Sequence, residues 1–102
     1  MTEYDKLVRD RIPKIVEENG ETPVVHVADE TEYERRLVDK LFEEAEEYRE
    51  SGELAELADL LEVIHALRAH HGASEAELDR LRAEKADERG RFEDRIVLER
   101  VE

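Results

Sequence analysis

Apolar residues recur along most of this chain at the spacing of helical turns, and glycines mark where the pattern restarts. At about 100° per residue, Tyr33, Leu37, Leu41, Phe42, Ala45 and Tyr48 fall on one arc. After Ser51-Gly52 a second arc gathers Leu54, Leu57, Leu60, Leu61, Val63, Ile64 and Leu67. The spacing predicts helices over about 32–50 and 53–71, with Thr31 and Glu34 as a capping box for the first. Gly72 stops the second helix. Ser74 and Glu77 repeat the box for a helix over about 75–89, which Gly90 closes. Near the N-terminus, Leu7-Val8 lead into a helix near 9–19, with Asp10 as cap, Pro13 in its first turn and Gly20 as stop. Two stretches read as strands instead. Residues 23–27 run Pro-Val-Val-His-Val; in 94–101 Ile96 and Leu98 alternate among charges, with Val97 and Val101 opposite. The expected fold is mainly α: one domain over 1–102, an antiparallel helical bundle with a small two-stranded β ribbon.

Acidic side chains interrupt both apolar arcs. Glu44 falls between Leu37 and Tyr33 in angle, with Glu47 at the margin of that arc. Glu56 falls between Val63 and Leu67, with Asp59 near the edge of the other arc. Each pair is spaced i, i+3 and so shares one side of its helix. An antiparallel hairpin folded at Ser51-Gly52 sets Glu47 level with Glu56 and Glu44 level with Asp59. Four carboxylates then converge within roughly two helical turns. Such a cluster repels itself unless protons or cations neutralise it, and hard divalent ions prefer oxygen ligands. The arrangement points to a magnesium site. Glu43, Glu46, Glu50 and Glu62 are expected to face outward.

Composition narrows the classes. Thirty Asp and Glu against 16 Lys and Arg leave a net charge of −14. That opposes binding to nucleic acid polymers, which takes a basic footprint, and fits a surface adapted to high salt. The chain has no Cys, so it has neither disulfides nor a thiolate metal site. No apolar run approaches a membrane span and no signal-peptide pattern opens the sequence, so a cytoplasmic location is expected. A chain of 102 residues buries little surface alone, and this helical domain is expected to complete its core by oligomerising.

Basic residues are scarce and gather in two places: Lys6, Arg9, Arg11 and Lys14 near the N-terminus, and Lys85, Arg89 and Arg91 around Gly90. Lys6, Arg9, Lys85 and Arg89 are the candidates for holding the phosphates of an anionic substrate. His26, His65, His70 and His71 converge on no common face. His70-His71, near a helix C-terminus, suits the helix dipole.

Four ordered segments carry a family resemblance. Tyr4-Asp5-Lys6-Leu7-Val8-Arg9-Asp10-Arg11-Ile12-Pro13 resembles the opening of small MazG-like proteins of the all-α nucleoside triphosphate pyrophosphohydrolase superfamily. Glu43-Glu44-Ala45-Glu46-Glu47 is similar to their EExxE element, and Glu56-Leu57-Ala58-Asp59 to their ExxD element. Lys85 through Phe92, KADERGRF, is similar to a K…RGGF-like ending, with Arg91 in place of the second glycine. The link between Glu47 and Glu56 is shorter than in several related branches. The resemblance implies magnesium-dependent cleavage of a nucleoside triphosphate or similar nucleotide to the monophosphate and pyrophosphate, by a homodimer or homotetramer. It implies Glu44, Glu47, Glu56 and Asp59 as metal ligands, with Glu47 or Glu44 also accepting a proton from water. Three other readings stay open: a phosphoribosyl-ATP pyrophosphohydrolase of histidine biosynthesis, a noncatalytic helical module binding nucleotides or a partner, and a purely structural acidic bundle.

Overall fold

The computed structural model describes residues 3–102, which form four helices: α1 (Ile12–Glu18), α2 (Glu30–Ser51), α3 (Leu54–His70) and α4 (Glu75–Arg89). Gly52 separates the two longest. It adopts φ +67°, a left-handed conformation that costs little without a Cβ, and its N–H donates to Tyr48 O at 2.8 Å. The chain therefore reverses within two residues, and α2 and α3 pack along each other. α4 meets α3 alone, and α1 packs against no other helix.

Local chemistry sets the helix starts. Asp29 is extended at φ −73° and accepts the Glu32 N–H at 2.8 Å, so α2 begins at Glu30. The expected Thr31–Glu34 box is thereby corrected: Asp29 reaches the free N–H groups first, and Thr31 lies inside the first turn. Asp10 does not cap α1 either; Arg11 occupies that position without a side-chain bond, while Pro13 sits in the first turn as expected. Ser74 caps α4 as expected, accepting from Glu77 N at 3.1 Å.

The ribbon expected from residues 23–27 and 94–101 is absent among the described residues, which contain no strand. A strand needs a neighbour for its N–H and C=O groups and a surface for its apolar side. Val24 and Val27 find neither, and Ile96, Val97, Leu98 and Val101 are all exposed.

The interior is small. Only Leu37, 2% exposed, and Val63, 8% exposed, are buried apolar residues among those described. Phe42 and Leu54, both on predicted apolar arcs, are 71% and 81% exposed. Two helices cover one stripe of each other, and arcs wider than that stripe turn their remainder outward. The radius of gyration is 17.9 Å, against about 13 Å for a close-packed domain of about 100 residues. No described helix is long and apolar enough to cross a membrane.

Candidate metal centre

The α2–α3 hairpin brings its acids together at its inner face. One carboxylate oxygen each from Glu44, Glu56 and Asp59 lie within 4.8 Å of one another, and the same holds for Glu43, Glu44 and Glu47. Glu44 belongs to both groups. It shares the inner face of α2 with Leu37 and is only 7% exposed.

Glu44 has too few partners for a buried carboxylate. Lys40 Nζ lies 3.5 Å from Glu44 Oε1 but sits nearer to Glu43 Oε2, at 3.3 Å. Glu44 Oε2 has no hydrogen-bond partner. Glu47 lies close enough to share a proton with Glu44, but two ionised carboxylates have no hydrogen to donate. Burial first, then the neighbouring Glu47 carboxyl and the charge of Asp59, push Glu44 above the ordinary carboxylate range against the pull of Lys40. Glu47 and Glu56 have no ion-pair partner among the described residues. The cluster therefore holds a surplus of negative charge around one unsatisfied, sheltered oxygen.

That donor set fits a hard divalent cation. All the ligands are oxygen, and magnesium with oxygens at about 2.1 Å brings neighbouring ligands to about 3–4 Å from each other. Glu44, Glu56 and Asp59 could hold one such ion; Glu47, expected level with Glu56, instead joins Glu43 and Glu44 in a second group that shares only Glu44 with the first.

Glu43 corrects the sequence reading, which turned it outward. It is half-buried, bonded to Lys6 Nζ at 3.2 Å and to Lys40 Nζ at 3.3 Å. Partial burial acts to raise its pKa, but the Lys6 and Lys40 ammonium groups outweigh it and hold Glu43 below the ordinary range. The i, i+3 spacing from Lys40 was a legible signal; the partnership with Lys6, distant in sequence, was not.

The basic candidates separate into two sets. Lys6 is bonded to Glu43, and Arg9 Nη2 reaches Asp59 Oδ1 at 2.8 Å, so both stand against the acidic cluster. Lys85 and Arg89 lie exposed on α4, which meets α3 and not α2. No ion pair among the described residues joins either of them to these carboxylates. The histidines contribute no ligand to the cluster: His26 bonds to Glu32 and His70 packs edge-on against Tyr33, with ring centroids 5.6 Å apart. No protein-family profile, curated protein or solved structure matches this chain.

Proposed function

We propose that this chain is a magnesium-dependent nucleotide pyrophosphohydrolase of the MazG-like kind, cleaving a nucleoside triphosphate or related nucleotide to the monophosphate and pyrophosphate in the cytoplasm. The observation that carries the reading is Glu44, buried, with one oxygen unpartnered, and flanked by Glu47, Glu56 and Asp59. A carboxylate on a buried face is costly unless paired or coordinated. The sequence resemblance supplies the substrate class.

The reaction adds water to the phosphorus that remains with the nucleoside and breaks the bridging P–O bond, so that pyrophosphate leaves. A bound magnesium ion supplies charge neutralisation on the phosphate oxygens and eases deprotonation of water. Glu47 or Glu44 accepts the proton of the attacking water, since both carboxylates belong to the cluster. Lys6 and Arg9 stand beside it as cations for phosphate oxygens.

The working unit in this reading is a homodimer or homotetramer. Exposed Phe42 and Leu54, and an interior holding little beyond Leu37 and Val63, favour a second copy completing the core. Sedimentation of the purified chain tests this, and a monomer at high micromolar concentration would refute it.

Pyrophosphate release from a panel of ribo-, deoxyribo- and modified nucleotides tests the chemistry. Activity is expected with magnesium and none with chelator, with Glu47→Gln and Asp59→Asn each lowering turnover by about a hundredfold or more. Full activity in either variant removes that residue from the mechanism. Turnover of phosphoribosyl-ATP alone would assign the chain to histidine biosynthesis. Nucleotides that raise the melting temperature without releasing pyrophosphate would make it a binding module.

A further inference from the structure

The segment ahead of α1 lies across the hairpin as a strap. At one end Arg36, whose side chain is only 16% exposed, donates from Nη1 to Asp5 O at 2.7 Å and from Nη2 to Asp5 Oδ1 at 3.0 Å. Asp5 adopts φ 43°, an uncommon conformation for a residue with a Cβ, and the two bonds from Arg36 secure it there. At the other end Arg9 crosses to α3 and pairs with Asp59. Between them Lys6 bonds to Glu43, above a cavity of about 40 Å³ bordered by Lys6, Arg36 and Lys40.

The two ends differ in kind. The Arg36 end is made twice over, from a guanidinium 16% exposed, although its partner Asp5 is 84% exposed. The Arg9 end is one contact between side chains 58% and 43% exposed, and such pairs are weak. α1, which follows, packs against no helix that would hold the strap down. The carboxylate that Arg9 neutralises belongs to the group that surrounds the unpartnered Glu44 oxygen.

We infer that residues 3–11 form a cation-exchanged latch: Arg9 neutralises Asp59 in the metal-free chain, and a divalent cation taking that carboxylate releases the Arg9 end while Arg36 keeps the Asp5 end. The inference rests on the metal reading and adds what the chain does before the metal arrives. An aspartate oxygen engaged by a guanidinium at hydrogen-bond distance presents less charge to a second cation, so the two compete for one ligand. Release leaves Arg9 free beside the centre, where an anionic ligand would meet it.

Two measurements on the intact chain test this, with Mn²⁺ as the probe. Calorimetric titration is expected to give about fivefold tighter Mn²⁺ binding in Arg9→Gln than in the wild type, the worth of one exposed ion pair. Arg9→Lys should fall between them. In wild-type chain, hydrogen exchange of the Ile12 amide, which donates to Arg9 O at 3.0 Å, should accelerate when Mn²⁺ replaces chelator. Equal Mn²⁺ affinity in wild type and Arg9→Gln, or no change in exchange on saturation, would overturn the latch and leave the metal centre standing. Failure of both proteins to take up Mn²⁺ would overturn the metal centre itself, and the latch with it.

Discussion

The α2–α3 hairpin and the α4 region are built from similar local signals yet come to different ends. Both have a polar N-cap, Asp29 and Ser74, and both have a glycine stop, Gly52 and Gly90. The hairpin converts its apolar stripe into buried contacts around Leu37 and Val63. α4 leaves Leu81 49% exposed and touches α3 alone. Caps and periodicity are enough to define a helix; packing decides whether that helix contributes to a core. The difference also explains where charge is trapped. Glu44 is buried because its helix packs, whereas the acids of α4 stay in water and need no neutralising partner.

The contrast can be broken most directly by truncating one leucine in each region. Leu37→Ala is expected to destabilise by about 2–5 kcal/mol, and Leu81→Ala by about 0.5 kcal/mol or less, measured by urea unfolding. Equal costs would mean that α4 is buried in an assembly as deeply as the hairpin is in one chain.

A somewhat smaller effect sharpens the role of the trapped charge. Folded Glu44 keeps its proton above the 4.5 of the free side chain, so just above that pH the native chain binds more protons than the unfolded one. Its contribution to stability is present below pH 4.5 and is lost as the pH rises. Glu43 has the opposite sign: its stabilisation is present above 4.5 and is lost as the pH falls through its depressed folded value. In chelator at pH 7, Glu44→Gln should therefore be more stable than wild type by about 1 kcal/mol or more, the scale of one unsatisfied buried group. That advantage should shrink as the pH falls through the raised folded value of Glu44 towards 4.5, and stay constant below it. A destabilised Glu44→Gln at pH 7 would show that the carboxylate is already compensated without metal.

The smallest effect concerns α4. Ser74→Ala should cost about 1 kcal/mol or less and accelerate amide exchange within α4, leaving the hairpin's exchange unaltered. Faster exchange in α2 would indicate that the two regions unfold as one.

Much of the hairpin was legible because the features that build it are close in sequence. A 3.6-residue period in α2 and α3, joined by the two-residue turn Gly52-Glu53, places Glu44, Glu56 and Asp59 together with no information from the rest of the chain. The errors arise where the decisive contact is distant or absent. Alternation in 94–101 signalled a strand, but alternation identifies a face and cannot supply a neighbour. Thr31 and Glu34 had the right spacing for a cap, and Asp29, two positions earlier, takes the N–H groups instead. Glu43 turned inward because Lys6 reaches it across the fold, a pairing no local period encodes. Phe42 and Leu54 belong to real stripes, but stripes wider than one neighbouring helix can cover.

The local character of the acidic cluster has a kinetic consequence. Contacts between nearby stretches of chain form early because little loop entropy opposes them. Here the same early step must crowd like charges together, so the hairpin should close slowly in dilute buffer and faster as dissolved ions screen the repulsion. Refolding speed, followed against ionic strength, would then report the charging of this turn before any nucleotide is involved.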